Sequence, residues 1–372
     1  MTREAGSGKR RGDAAPAGSA QTEGGEGRGE RRGPSSPFSS ALPASRFPLP
    51  AKRRLGVIGT FVWDTIHGRD PRQTPVEEWG GITYALSGLD AALSEEWEIV
   101  PLIKVGSDLV ARAREFCATL ERMAPDAAII EVPYPNNRVE LRYETSERRC
   151  ERLTGGVPGW TWLGLTPLLG GLDALYINFI SGWELDLETC RLLRQHFKGP
   201  IYCDLHMLVM AVQPTGWRAL RPLPDVAEWC RCFDVLQVNE DEVTAMAPDP
   251  LALAATAMAQ GVRCLVVTLG SRGAVYFAAP GFERLADLAS PAPLGAALGP
   301  VRTERVPPPY VVAEGDPTGC GDVWGATYFS RLLAGDSLGD AMRAAHRAAT
   351  RNVEHRGATG LARHLRGELI TR

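Results

Sequence analysis

Glu314-Gly315-Asp316-Pro317-Thr318-Gly319-Cys320-Gly321-Asp322 sets a turn, a glycine-lined backbone and a carboxylate against an apolar run, 322–333, that reads as a helix. Glycine has no Cβ, so Gly319 and Gly321 are expected at positive φ with their backbone close to a ligand. The helix that follows aims its unbonded N–H groups and positive dipole end at the same point, which favours an anion. Beside that anion, Asp322 is placed to take a proton from an attacking hydroxyl. An isolated GxGD is more often a turn and a helix cap, and the remaining sequence has to decide between the two.

Outward from this stretch the chain alternates strand-like apolar runs with helical periodicity. Strands are expected at 55–59, 99–105, 174–179, 201–204, 235–238 and 264–269, and helices at 83–93, 109–123, 187–196, 251–260, 323–333 and 339–354. Such alternation implies an α/β fold with a central, mainly parallel sheet and helices on both faces. Ligands in these sheets bind at the carboxyl ends of the strands, where Asp204, Asn239 and Thr268 to Gly270 fall. The segment 138–154 differs: Val139, Leu141 and Tyr143 alternate with polar residues, a turn is expected at 144–147, and 149–153 offers a return strand.

Composition bounds the remaining classes. At 372 residues, 44% hydrophobic and 23% charged, the chain is long enough for one large α/β core or two modest domains. A net charge of -3 argues against a nucleic-acid partner. No apolar run reaches bilayer length, so no membrane partner is expected. The eight cysteines are scattered, with Cys203 and Cys264 in apolar runs and Cys230 and Cys232 too close for a usual zinc pair; they read as reduced, buried thiols of a cytoplasmic protein. Residues 1–52 form a polar Gly/Ser/Pro/Ala/Arg tail expected to be disordered, and 286–300 a second surface loop. Gly6-Ser7-Gly8-Lys9 lacks the earlier glycine, the preceding strand and the Ser/Thr of a Walker A loop.

The quoted stretch resembles the C-terminal signature of the ribokinase-like (PfkB) carbohydrate kinase family, DTTGAGD, with Pro317 and Cys320 as departures. Val267-Thr268-Leu269-Gly270-Ser271-Arg272-Gly273 is similar to that family's nucleotide-binding strand and turn, and Asn239-Glu240-Asp241-Glu242 to its NxxE motif. Gly80-Gly81 and the 59–64 segment resemble its substrate-side elements, so the likeness covers about residues 53–365. It implies a ribokinase-like fold with a small β lid, here the hairpin at about 136–154, which in such enzymes often makes a dimer contact. By resemblance, Asp322 is the catalytic base, and the backbone of Gly319, Cys320 and Gly321 is the anion hole for the transferred phosphoryl group.

Further roles carry over in the same way. Glu242 and Asn239 match the pair that organises Mg2+ and phosphates, usually through water, although an acid in the first turn of a helix is favourable without a metal. Thr268, Gly270 and Gly273 match the nucleotide groove, and would otherwise form a tight strand connection. His346 matches a residue near adenine in ribokinase; on an apolar helix it is as readily a packed side chain. Asp316 matches a position that helps bind a monovalent cation such as K+ in some members, and is also a common turn starter before proline. Asp64 matches an aspartate that holds sugar hydroxyls, and Gly80 and Gly81 the pair that lets backbone approach the sugar. The amide that ribokinase places next is Ala85 here, which puts ribose in doubt as the substrate. Asn137, with Asn136 and Arg138, offers polar contacts from the lid, but no motif assigns them a role.

The resemblance therefore implies an ATP- and Mg2+-dependent kinase acting on a hydroxymethyl group of a small sugar or a nucleoside. A catalytically silent binding protein of the same fold is the alternative from another class. A dinucleotide-dependent dehydrogenase is disfavoured because no GxGxxG follows the first strand.

Overall fold

The computed structural model describes residues 51–67, 74–143, 149–290, 300–312 and 315–368. Residues 1–50 of the expected tail, the turn at 144–147 and Glu314 lie outside them.

The chain enters through β1 (Arg53–Ile58), β2 (Phe61–His67) and β3 (Val76–Gly81), then turns into helix α1 (Ile82–Ala92). Strands β4 (Trp97–Leu102) and β5 (Lys104–Gly106) lead to α2 (Val110–Ala118) and β6 (Ile130–Val132). Next come β7 (Arg138–Tyr143), β8 (Arg149–Thr154), the short α3 (Trp162–Leu165), β9 (Ala174–Asn178) and α4 (Leu187–His196). After β10 (Ile201–Asp204), a hairpin of β11 (Met210–Val212) and β12 (Arg218–Leu220) precedes α5 (Val226–Cys230), β13 (Val235–Asn239) and α6 (Glu240–Thr244). Helix α7 (Pro250–Ala259) leads to β14 (Cys264–Thr268), β15 (Ala274–Ala278) and β16 (Arg302–Val306). The chain closes with α8 (Cys320–Leu333), α9 (Leu338–Val353) and α10 (Leu361–Arg366).

Eight strands form the central sheet in the order β16-β15-β14-β13-β10-β9-β1-β4. It is parallel from β4 to β14, and β15 alone is reversed, pairing antiparallel with both β14 and β16. The middle strands β9 and β10 are buried along their whole length, as strands covered on both faces must be. Over them Tyr176 stacks on Tyr202 at 5.0 Å and Tyr202 on Phe329 of α8 at 5.2 Å. A Cβ at Gly325 would lie 2.5 Å from the Tyr202 hydroxyl oxygen, so glycine is what lets α8 settle onto this aromatic layer. Local signals agree with the fold: Asp249 accepts from Leu251 and Ala252 N–H at 2.9 Å to start α7, and Asp186 accepts from Thr189 N–H at 2.7 Å to start α4.

A second sheet, ordered β3-β2-β7-β8, is the lid. The expected hairpin forms its β7/β8 half, while the 59–64 and 80–81 segments, read from sequence only as ligand-side motifs, belong to the strands β2 and β3 of its other half. The outer edge of β8 is met by the β11/β12 hairpin, where Leu153 N–H donates to Gly216 O at 2.9 Å and Arg152 bridges Trp217.

Three expectations are corrected. The strand 99–105 is two strands: β4 ends at Leu102, and β5 pairs with β6 in a separate two-stranded sheet. The helix expected to reach 123 ends at Ala118, because the chain must return for Ile99 to bond Arg122 O and Ala124 N–H to bond Ile99 O. Part of the loop expected at 286–300 is a 3-10 turn, Leu285–Ala289; residues 291–299 lie outside the described ones. Cys190, Cys203, Cys230, Cys232 and Cys264 are buried as expected, whereas Cys117, Cys150 and Cys320 are partly exposed. No described helix is long and apolar enough to cross a membrane.

Candidate active site at the carboxyl ends of the sheet

Gly319 caps α8 in the left-handed region, at φ 74° and ψ 2°. A Cβ there would also fall 2.2 Å from the Tyr84 ring, so conformation and space both demand glycine. Gly321 differs from its expectation. It lies in the first turn of α8 with helical backbone, and a Cβ there would meet nothing within 4 Å. Its value is open space in front of the helix end, not positive φ. Cys320 N–H closes the turn on Pro317 O at 3.1 Å, and the Gly321 N–H, in the first turn of the helix, comes too early for an intrahelical acceptor. The Cys320 thiol is pushed up to about 11 by burial; it packs against Ala349 O and accepts from Asn352 Nδ2 at 3.2 Å, the behaviour of a filler and not of a nucleophile.

Asp322 stands in that same first turn, where Asn178 Nδ2 donates to its Oδ1 at 2.6 Å. Asn178 ends β9, and sequence reasoning missed it. Its signal was available: it falls near the carboxyl end of an expected strand, 174–179, as Asp204 and Asn239 fall at the ends of theirs. Asp204 accepts from Gln237 Nε2 at 2.7 Å, and Gln237 also reaches Gly321 O at 3.2 Å. Burial pushes the Asp204 carboxyl well above the usual range; the Glu242 and Asp322 charges add to this and His206 opposes it.

Asn239 and Glu242 form a reciprocal cap on α6. Asn239 Oδ1 accepts from Glu242 N–H and Glu242 Oε2 from Asn239 N–H, each at 2.9 Å. His206, another residue the sequence did not flag, brings its Nδ1 to 3.3 Å from Glu242 Oε1. It does so from a strained backbone, φ 32°, just past the end of β10. Burial alone would lower its pKa, but the bond to Glu242 and the charges of Glu242, Asp204 and Asp322 raise it to about 9. Asp316 Oδ1 accepts from Thr318 N–H at 2.9 Å, the turn-starting role that its proline neighbour suggested.

On the expected nucleotide side, Thr268 ends β14, and Gly270 (φ 58°) and Gly273 (φ 94°) turn the chain tightly into β15. Gly273 is required by contact as well, since a Cβ would sit 2.2 Å from Val306 O. His346 is buried between α8 and α9, where its Nδ1 accepts from Trp324 Nε1 at 3.1 Å. Burial lowers its pKa, so the ring acts as a neutral packing partner of Trp324.

The lid carries Asp64 on β2, opposite Glu78 of β3 and diagonal to Gly80, which pairs with Val62. A Cβ at Gly80 would lie 1.9 Å from Asp64 Oδ2, so this glycine makes room for the carboxylate. Gly81, at φ 61°, turns the chain into α1. Asn137 is committed within the protein: its Nδ2 donates to Ser181 Oγ at 2.9 Å and its Oδ1 accepts from Val157 N–H at 3.2 Å. Ala85, at the departure from ribokinase, is fully buried. Arg218 on β12 was not foreseen. It donates to Ile180 O at 3.0 Å and Ser181 O at 3.3 Å and reaches Glu151 of the lid at 3.4 Å, tying lid to central sheet. Glu184 holds the same corner, accepting from Thr60 Oγ1 at 2.7 Å and Gly182 N–H at 2.9 Å.

Residues 206–364 match the model of the pfkB family carbohydrate kinases. The motifs, this match over the C-terminal part of the chain and the architecture support a ribokinase-like (PfkB) reading. Among solved structures it is similar to ribokinase from Thermotoga maritima, at 16% identity and TM-score 0.58, over 85% of this chain and 98% of that one. A pyrophosphate-dependent kinase in the ribokinase family, complexed with a pyrophosphate analog and myo-inositol, matches at 15% identity and TM-score 0.62, over 82% and 97%. Burkholderia thailandensis nucleoside kinase in complex with inosine matches at 14% identity and TM-score 0.61, over 83% and 94%. No curated protein matches the sequence.

Proposed function

We propose that the protein is an ATP-dependent kinase that phosphorylates a hydroxymethyl group of a sugar or sugar-derived acceptor. The observation that carries this is Asp322, oriented by Asn178 in the first turn of a helix whose preceding turn is shaped by Gly319. A carboxylate fixed there can receive the acceptor's proton as the hydroxyl oxygen attacks the γ-phosphorus and the bond to the leaving phosphate breaks. The anion-hole turn of Gly319, Cys320 and Gly321, with the dipole of α8, would offset the charge on the transferred group. The acceptor would lie between Asp322 and Asp64.

Thr268, Gly270, Gly273 and His346 would border the nucleotide. Among the described residues no group of three or more His, Cys, Asp or Glu side chains could hold a metal ion. Mg2+ would instead arrive with the phosphates and be reached by Glu242 and Asn239 through water, where it would neutralise phosphate charge. Asp316 is the candidate for K+. A homodimer through the lid would use the β3 edge, because the β8 edge is met by Gly216 and Trp217. The test is a turnover screen of pentoses, hexoses, keto-deoxy acids and nucleosides with magnesium-ATP, run in parallel with pyrophosphate. Turnover of a sugar with ATP supports the reading. Turnover with pyrophosphate alone would replace the donor, a nucleoside as best acceptor would replace the substrate class, and no turnover would favour a silent binding protein.

A further inference from the structure

Among the described elements, the lid strands join the body of the molecule at four chain crossings: Thr60 between β1 and β2, Gly81 between β3 and α1, Asn137 at the entry to β7, and Val157 after β8. One short loop, 180–184, which starts two residues past the end of β9, touches every one of them. Glu184 Oε1 accepts from Thr60 Oγ1 at 2.7 Å, and Ser181 Oγ accepts from Asn137 Nδ2 at 2.9 Å. Trp183 Nε1 donates to Val157 O at 3.1 Å. A Cβ at Gly81 would lie 2.8 Å from Ile180 Cγ2, so the remaining crossing packs directly on the loop.

Glu184 is the fastening of this loop. Its buried carboxylate also accepts from Ser181 N–H at 2.5 Å and Gly182 N–H at 2.9 Å, so a single side chain folds the loop around itself while it holds Thr60. Gly182, at φ 90°, seats the loop against the turn after β10, where a Cβ would fall 2.6 Å from Met207 O. The other end of the segment is Asn178. Ile180 N–H donates to Asn178 O at 3.0 Å and Phe179 N–H to Asp204 O at 3.1 Å, and both residues are buried, so strand end and loop form one stiff piece. That piece presents the Asn178 amide to Asp322 at 2.6 Å. A carboxylate's aim and basicity depend on the donors that hold it.

We infer that Glu184 is a positioning residue: by fastening the crossings of the lid to the segment that carries Asn178, it makes the placement of Asp322 depend on the seating of the lid. The inference rests on the reading of Asp322 as the base. The path from Thr60 to Asp322 runs through Glu184, the loop backbone and Asn178, and coupling along it is measurable as non-additivity between its members.

The test uses the full chain and three substitutions. Thr60→Val removes the lid's bond to Glu184 and keeps a β-branched side chain, Glu184→Gln puts an amide that cannot accept against the loop N–H groups, and Asn178→Ala releases Asp322 directly. Amide hydrogen exchange needs no substrate. In Glu184→Gln it should quicken about five- to tenfold at Phe179 and Ile180 and also at Val323, which bonds Gly319 O at 2.9 Å in the first turns of α8, with a smaller rise at the same amides in Thr60→Val. In turnover, Glu184→Gln should lower kcat about tenfold with both KM values within about twofold, and should move the acid limb of the pH profile upward, because the bond that favours the charged form of Asp322 is loosened. Added to Asn178→Ala, it should cost almost nothing more. Exchange that quickens only within 180–184, or kcat losses that multiply in the double variant, overturns the inference and leaves Glu184 as a loop anchor. Exchange that spreads to α8 without turnover with any donor supports the link from lid to Asp322 and overturns the kinase reading instead.

Discussion

The turn before α8 takes its shape from neighbours in sequence: Asp316 accepts from Thr318, Cys320 bonds Pro317, and Gly319 caps the helix that carries Asp322. The acceptor end around Asp64 has no such local source. As proposed, it draws on β2 and β3 of the lid and on Arg218 from a hairpin more than a hundred residues further along. A site made from one contiguous turn can be read from a motif, whereas one assembled across elements by single side chains leaves no pattern of fixed spacing. On the proposed roles, the donor half rests on backbone geometry and the acceptor half on side-chain chemistry, and substitutions should separate them.

The largest effect is expected on the local half. Asp322→Asn should fold and bind nucleotide while kcat falls by about a hundredfold or more, since the amide cannot take the acceptor's proton. Single-turnover rates and nucleotide titration check this together, and near-wild-type turnover would leave Asp322 as a helix cap. The counterpart on the assembled half is Asp64→Ala. Loss of a charge-assisted bond should lower acceptor kcat/KM by about ten- to a hundredfold on every accepted substrate, with donor KM little changed. Ribose should not be the best substrate. A specificity constant unaffected by the change, or ribose outperforming the panel, would move the acceptor elsewhere.

The two glycines of the anion-hole turn sharpen the comparison. Gly319→Ala imposes a side chain on a left-handed residue and drives it into the Tyr84 ring, so a loss of about 2 to 4 kcal/mol in unfolding free energy is expected, with activity falling in step. Gly321→Ala meets open space within a helix, so stability should hold or rise by up to about 1 kcal/mol while turnover drops, because the methyl group fills the space before the N–H groups. Denaturant melts and kinetics on the pair decide the matter; equal destabilisation would mean that both glycines serve the backbone alone.

How far the molecule was legible follows the same division. The parallel core was readable because β9, β10, β13 and β14 are short apolar runs, covered on both faces, with strand-end polar residues at one edge. Asn239 and Glu242 were readable as a spaced pair, and their mutual cap shows why that spacing also suits a helix start. Strands β2 and β3 were not, because Gly80 and Gly81 weaken any strand signal, and glycine is there to admit the Asp64 carboxylate. Arg218 and His206 were missed for another reason. An arginine in a short hairpin and a histidine after a strand carry no local signal, and each acquires its role from partners distant in sequence.

Glu242→Gln should raise the magnesium concentration needed for half-maximal activity by a few fold and leave acceptor KM nearly unchanged, since in the proposed site Glu242, bonded to Asn239 and His206, meets the metal and not the acceptor. Unchanged magnesium dependence with weaker acceptor binding would reassign the residue.

The smallest effect concerns His206 in the absence of added divalent cation. Its folded pKa, about 9, lies above the ordinary histidine value because Glu242, Asp204 and Asp322 outweigh the burial that opposes protonation. A raised folded pKa means that the native state binds the proton more tightly than the unfolded chain. The stabilisation is therefore fully present below about pH 6.5 and declines as pH rises through about 9. The side chain is about a quarter exposed, so solvent trims the gain to about 1 to 2 kcal/mol. Urea unfolding between pH 6 and pH 9.5 should show that fall in the wild type, and His206→Gln, which keeps a hydrogen-bond donor for Glu242 but cannot titrate, should flatten it. A parallel decline in both proteins would assign the pH dependence to other groups and leave His206 as a neutral partner of Glu242.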